Sequence, residues 1–580
     1  MHEHKFVSTR NMASLPSKQG SGTETGGSRG SARDEALTCV EPSDNAPVPS
    51  ATPSNPALPP STTSSSDESL NTRIERLGRQ RPPLFPTLAN EIFFVFSITM
   101  SQFLTEFFVS GFTVLLPTLI HELSIPQASA VWPATAFSLV IAATLLVFGR
   151  LGDMLGGFPV FIAGLGWLLV WSIVAGFSVN PLMLDLCRAL QGLGAAAFLP
   201  TGVMLMGSVY RPGPRKNLVF AIYGTSAVLG FFGGIAVAGV VGEYVRWGWY
   251  FWIGGSLAGV TLISSLFSVP KLEVVKGEDE ERAAMDWLGA VTTLSGLTLT
   301  IFAITESAHA ADGWRTPYIP VIFAIGIVAL FAAWYVETRV ATQPLLPASL
   351  FAIPSMTSLL FAIFLLYGTW GIFSVYGTIY FQTIMMASPL QVVAWYIPLG
   401  VVGLLMSILE GLILHIVPGK ALLILSGLGA LGSQLLIALI PISGGSYWPW
   451  IFPATILGTI GIDVATILMT VFVTTKVPAN QQGLAGGVVN CVLQLGVAFI
   501  LGFADIIQST TVHNVGLAKS YKNTFWLGVA AGAVSLVVMT IWSRVPAAKS
   551  ELTVDERTKL FQEGEGVDRA YGASFEGCSR

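Results

Sequence analysis

The sequence predicts an all-α polytopic membrane protein, and three observations carry that prediction. Hydrophobic residues make up 52% of the 580 positions and charged residues only 11%, whereas soluble chains average about 25% charged residues. Many apolar runs approach the roughly 20 residues that a helix needs to cross the hydrocarbon core. The runs are continuous and rich in Leu, Val and Gly, without the alternation of a barrel strand. Lipid offers no partner to bare backbone groups, so spans built from such runs must be helices.

Taken in order, residues 1–90 read as a disordered tail, rich in Ser, Thr, Pro and Gly and too polar to bury a core. The segment MHEHKFVSTR has no apolar core, so no cleavable signal peptide is expected. Seven spans are then expected at 92–120, 131–149, 158–179, 181–207, 217–242, 247–269 and 286–305. Seven more follow at 317–338, 355–380, 390–415, 420–441, 447–474, 482–507 and 523–543, with Pro418-Gly419-Lys420 dividing the tenth from the eleventh. Residues 91–270 form an expected first bundle of six, 271–350 a linker carrying two extra spans, and 351–545 a second bundle. Residues 546–580 form a second tail. An offset of about 262 residues lays Gly149, Gly157, Gly224 and Gly234 on Gly411, Gly419, Gly486 and Gly496, matching spans 1–6 to spans 9–14. Two such halves with a site near the midplane are a transporter arrangement.

Basic residues fix the expected orientation. One set of gaps holds Arg150, Arg211, Arg215, Lys216, Lys271, Lys276, Arg282, Arg339, Lys420 and Lys476, and the alternate gaps hold only Arg246, Arg315, Lys519 and Lys522. The first set is expected to be cytoplasmic, together with both tails. Cys39 and Cys578 lie in the tails and Cys187 and Cys491 within spans, so no disulfide is expected, and there is no glycosylation sequon. No basic stripe points to nucleic acid. The six dispersed histidines and the lack of a P-loop argue against a metal centre, an ATP-driven pump or a membrane enzyme, so no cofactor is expected.

Ionisable groups at membrane depth cost roughly 2.5–3.5 kcal/mol on insertion scales, so each needs a reason. Glu106 falls near the middle of span 1 and Asp463 near the middle of span 12. Each reads either as a proton carrier or as a neutral carboxyl bonded to a nearby hydroxyl or carbonyl. Asp185, Arg188 and Gln191 share one face of span 4, where Arg188 either pairs statically with Asp185 or responds to another carboxylate. Glu410 and His415 read as gate or interfacial groups, and Asp505 and Glu306, near span ends, carry no functional claim. Gly230, Gly234, Ala238 and Gly242 recur every fourth residue in span 5, a pattern that lets helices approach closely in lipid.

Between spans 2 and 3 lies GRLGDMLGGFPVF, residues 149–161. Its glycines permit a tight turn, Asp153 can cap a helix or pair with a base, and Arg150 can grip helix C-terminal carbonyls. This stretch resembles the major facilitator signature Gly-x-Leu-x-Asp-x-x-Gly-(Arg/Lys) at Gly149, Leu151, Asp153 and Gly156, with Gly157 where the base is usual. In span 4, LDLCRALQGLGAAAFLP is similar to the drug:proton antiporter signature through Arg188, Gln191, Gly192 and Gly194. Span 5 resembles Gly-Pro-x-x-Gly-Gly through Gly230, Gly233 and Gly234, with Phe231 in place of the proline, and QGLAGGVVNCVLQLG in span 13 also fits. Over residues 90–545 the chain resembles the fungal fourteen-span antiporters of the aminotriazole-resistance type.

That resemblance implies a major facilitator fold, two six-helix bundles plus two extra central spans, and alternating access. It implies that Gly149, Arg150, Asp153 and Gly156 form a cytoplasmic gate, and that Glu106, Arg188 and Asp463 couple transport to protons. It also implies that spans 1, 4, 9 and 12 line the cavity. Gln191, Tyr367, Trp370 and Tyr376 are then the expected substrate contacts, the aromatic residues reading alternatively as lipid-facing. The implied activity is export of a small amphipathic organic compound in exchange for protons; a proton-coupled importer or uniporter, or less readily a sensor, is the alternative. The expected partners are that substrate, protons and the bilayer, with a monomer in the plasma membrane, or else the vacuolar membrane.

Overall fold

In a computed structural model the described residues are 80–126, 131–210, 214–271, 285–310, 312–341, 344–346, 348–413, 417–442, 445–477 and 482–545. Residues 1–79 of the first tail, the second tail, His415 and the side chain of Glu410 lie outside them, and residues 88–90, expected in the tail, belong to the first helix. Among the described residues there are fourteen helices long and apolar enough to cross a membrane and no strand. They are α1 (Leu88–Glu122), α2 (Trp132–Leu155), α3 (Gly157–Ala175), α4 (Pro181–Val209), α5 (Pro214–Tyr244), α6 (Gly248–Ser268) and α7 (Trp287–Ser307). Then come α8 (Tyr318–Tyr335), α9 (Met356–Thr383), α10 (Pro389–Ile413), α11 (Gly419–Leu439), α12 (Phe452–Lys476), α13 (Gln482–Val515) and α14 (Leu517–Ile541).

Several helices outrun their apolar stretch, because hydropathy marks the lipid slab whereas breakers and caps mark the helix. α1 begins at Leu88, where Thr87 accepts from the Asn90 amide, and α13 runs on through Gln508, Thr510 and His513 until Gly516, at φ 80°, ends it. α9 is continuous through a π-turn at Phe373–Gly377. The break at Pro418 holds: α11 starts at Gly419.

Small residues set the packing. On α5, a Cβ on Gly234 would meet Ser110 Oγ of α1 at 2.6 Å, and one on Gly230 would sit 2.7 Å from the Phe103 Cα. A Cβ on Gly233 would lie 3.1 Å from the Phe103 ring. Ser110 Oγ donates to the Phe231 carbonyl at 2.6 Å, closing the same seam. The two halves meet along α2–α13 and α5–α10. The extra pair does not stand free: α7 docks on both α2 and α13, with Ile301 packed between Leu139 and Ala498. α8 lies outside it and exposes Val328, Phe331 and Trp334, each about two-thirds accessible, as befits a lipid-facing helix.

Here the end of the molecule carrying Arg150 and Lys476 is called the basic end. Along α5, Gly242, Gly239, Phe232 and Val228 touch Pro389, Val393, Gly400 and Gly403 of α10. One turn nearer the basic end, Gly224 on the same stripe has nothing within 4 Å among the described residues. Among the described residues, the contacts between α5 and α10 therefore lie toward the end opposite the basic end.

Candidate functional site

Glu106, halfway along α1, is partly accessible despite its depth, as are Tyr223, Tyr367, Trp370 and Asp463. These side chains come from both halves and face the space between them. Gln102, one turn before Glu106, donates to its Oε1 at 3.3 Å and accepts from the Tyr223 hydroxyl at 2.8 Å. On the other side Tyr367 shares a 2.8 Å hydrogen bond with Thr466, one turn along α12 from Asp463. Tyr367 is within electrostatic reach of both Glu106 and Asp463. Asp463 Oδ2 is buried with no hydrogen-bond partner among the described residues, facing Gly403 of α10.

Aromatic rings close this space. Phe231, the residue in the usual proline position, lies 5.5 Å from Trp370 of the other half, and Trp370 stacks on Phe373 at 5.4 Å. The combination, two carboxyls, two phenols and a bank of rings, suits an amphipathic ligand with one polar end.

Arg188 sits elsewhere. It is 1% exposed, inside the first half, and sandwiched between Phe112 and Phe137 at 4.2 and 4.4 Å. Its Nε donates to the Pro133 carbonyl at 3.2 Å, Nη2 to the Phe108 carbonyl at 3.0 Å and Nη1 to Gln191 Oε1 at 3.2 Å. Gln191 in turn donates to Ser172 Oγ at 2.9 Å. So Gln191 is a fully buried brace of Arg188 in this conformation, and Asp185 does not make the ion pair that its spacing suggests. Tyr376 is likewise buried, donating to Asp505 Oδ1 at 3.2 Å away from the Glu106 group.

The 2–3 turn is at the basic end. Gly156 takes φ 89°, a conformation that favours glycine, and a Cβ on Gly152 would meet Thr201 of α4 at 2.7 Å. Gly149 packs on Pro200; Asp153 is exposed, with Arg150 in electrostatic reach. Nearby, buried Glu91 accepts from Arg215 Nε at 2.7 Å and from the Tyr210 hydroxyl at 3.1 Å, tying α1 to α5. Burial, with the Glu91 carboxylate beside it, pushes the Tyr210 hydroxyl well above its ordinary range.

The structure thus brings together Glu106, Asp463, Tyr367 and Trp370, and leaves Arg188, Gln191 and Tyr376 outside that group. Gln102 and Thr466 join it unforeseen, though a polar residue one turn from a buried carboxyl was a usable signal. Tyr223 had none, and Phe231 stood out only as the residue in the proline position, since nothing local says which face of α5 turns inward.

Fourteen membrane-length helices in two facing halves are the architecture of a membrane transporter. The sequence profile of the Major Facilitator Superfamily matches residues 98–501, and the chain belongs to that family. It is 30% identical over 471 residues to the efflux pump terJ of Aspergillus terreus, covering 80% of this chain and 89% of that protein. It is 30% identical over 439 residues to the low affinity ammonium transporter of Saccharomyces cerevisiae (74% and 84% covered). The aminotriazole resistance protein of the same yeast is 26% identical over 474 residues (80% and 86% covered). A peptide transporter crystallised with alafosfalin shares the fold at a TM-score of 0.57 and 14% identity, covering 79% of this chain and 96% of that one.

Proposed function

We propose that this transporter exports small amphipathic organic compounds, drug, toxin or secondary metabolite, in exchange for protons. The observation that carries the reading is that Glu106 of one half and Asp463 of the other both lie within electrostatic reach of Tyr367, on the helix that also carries Trp370 against Phe231. A carboxyl at membrane depth is tolerated when it is neutral or paired, so exchanging a proton for a polar ligand end couples the two. The likeness to terJ, named an efflux pump, supports the direction. The alternate gaps being poor in Lys and Arg, the basic end faces the cytoplasm with both tails, in the plasma membrane, and the protein acts as a monomer without a cofactor.

In that frame the α5–α10 contacts at the end opposite the basic end close the site there, and the site opens to the cytoplasm. Asp153, Arg150 and Gly149, in the last two turns of α2, form with Gly156 the inner gate that engages when the site turns outward. Arg188 serves coupling by holding α1 and α2 at Phe108 and Pro133. The Gly230, Gly233 and Gly234 stripe keeps α5 on α1 while the halves rock.

Sealed vesicles containing the full chain, a panel of fluorescent amphipathic dyes and a pH gradient imposed in either direction test this. Gradient-driven dye movement is expected, falling to the rate of empty vesicles in Glu106→Gln. Movement indifferent to the gradient overturns proton coupling. A second reading, uptake or uniport of a small cation, draws on Phe231 in the proline position and on the ammonium transporter relative. Dye-independent movement of ammonium down its own gradient would favour it.

A further inference from the structure

Away from the central site, at the end opposite the basic end, a second group of titratable side chains is buried. His309 lies in the turn just after α7, its side chain 8% exposed, with Nε2 3.1 Å from Asp505 Oδ2 of α13. The other oxygen of Asp505 accepts from the Tyr376 hydroxyl of α9 at 3.2 Å. Asp185 of α4 is within electrostatic reach of His309, and its Oδ1 is buried without a hydrogen-bond partner among the described residues, as is His309 Nδ1. The extra hairpin and both halves converge here. Glu306, one turn before His309, accepts from Trp132 Nε1 of α2 at 3.3 Å and from the Tyr318 hydroxyl of α8 at 3.2 Å. The Trp132 ring lies 6.3 Å from the imidazole. Below, α7 runs along the α2–α13 seam, with Ile304 and Thr305 against Gly502.

We propose that Asp185, His309, Asp505 and Tyr376 form a second proton-binding site, through which the α7–α8 hairpin latches the two halves together at this end. The groups facing the imidazole are Asp505 from α13, Asp185 from α4, Tyr376 behind Asp505, and Glu306 and Trp132 beside it; Arg188 lies one turn along α4 but is committed to carbonyls and Gln191. No Lys or Arg contacts either aspartate among the described residues, so the imidazolium is the cation that this cluster lacks when His309 is neutral. Histidine is the side chain whose ordinary titration falls between about pH 5 and 8. Protonated, it binds Asp505 on one half and attracts Asp185 on the other, and the end stays shut. Neutral, it leaves two buried carboxylates facing each other through an uncharged ring, and the halves separate there. A proton arriving from this side thereby closes the end behind it, the order that alternating access requires. The proposal rests on the alternating-access reading above, and on neither the substrate nor the role of Glu106.

The test measures the distance between nitroxides on Val179→Cys and Trp448→Cys, exposed positions at this end on opposite halves, in the full chain with its own four cysteines replaced, in liposomes at about pH 5 and pH 8. The expected result is a short distance at low pH and a growing long-distance population as pH rises, with the closed-to-open ratio changing by up to about tenfold per pH unit for one linked proton. His309→Gln is expected to abolish that response, and Asp505→Asn to weaken it. His309→Lys, which keeps a cation, should hold the short distance to higher pH, and this arm stands even if His309→Gln fails to fold. A wild-type distance that ignores pH, or a response unchanged in His309→Gln or His309→Lys, overturns the proposal. Glu106→Gln should leave the response intact, so loss of dye transport in that variant with an intact latch separates the two readings.

Discussion

Arg188 shows how a full charge is kept inside an apolar bundle without a carboxylate in contact. Two backbone carbonyls, one amide oxygen and two ring faces satisfy a planar fork with several donors. A lysine cannot reproduce that fork: Arg188→Lys should leave at least one carbonyl unpaired and cost about 1–3 kcal/mol, read as a lower unfolding midpoint in detergent. Glu91 makes the complementary case. It is 4% exposed and serves both Arg215 and Tyr210, so Glu91→Ala leaves a raised, buried phenol without its acceptor. A loss of about 1–3 kcal/mol is expected, discounted at the Arg215 side because that guanidinium is partly in contact with solvent. An unchanged midpoint in either variant would contradict these accounts. The sequence flagged Glu106 and Asp463 by their depth and Arg188 by its place in a motif, but the partners that come from other helices, such as the Phe108 and Pro133 carbonyls and Tyr223, are encoded by no spacing along one segment.

At the scale of single helices, glycine does different work at different positions. Gly234 permits α5 to touch α1, and a methyl there would press on Ser110 Oγ and the Phe107 backbone. Gly234→Ala should therefore cost about 1–3 kcal/mol through overpacking, whereas Gly224→Ala, in open space, should be neutral or slightly stabilising by helix propensity. Gly156→Ala strains a residue held at φ 89° and ψ 149° by about 1–3 kcal/mol. Comparing the three unfolding midpoints checks the assignment; equal effects at Gly234 and Gly224 would refute it. Span number and order were legible because each run had to match the bilayer, but helix ends such as Gly516 and Thr87 followed capping and breaking, which hydropathy does not register.

For the whole molecule, the question is which end is closed. Gly242 and Pro389, on α5 and α10, stand with a built Cβ only 3.4 Å from the Pro389 Cβ, close to the separation that a disulfide spans. A Gly242→Cys, Pro389→Cys pair should cross-link on oxidation, trap the end opposite the basic end shut, and reduce transport to background until a reductant is added. Failure to cross-link would contradict the contact itself, and full activity of the cross-linked protein would show that it does not open during the cycle.

By itself the sequence determined that this is a helical membrane protein of fourteen spans, which ends are basic, and which family its motifs resemble. Those properties depend on composition, run length and short motifs, all of which are local. Only the tertiary structure decided that Glu106 and Asp463 share one space, that Gln191 braces Arg188, and that Asp505 meets His309 from across the chain. In an apolar bundle almost every helix face is hydrophobic, so periodicity cannot say which face looks inward. Close packing of small residues makes that choice, and it is settled only when all the helices are in place.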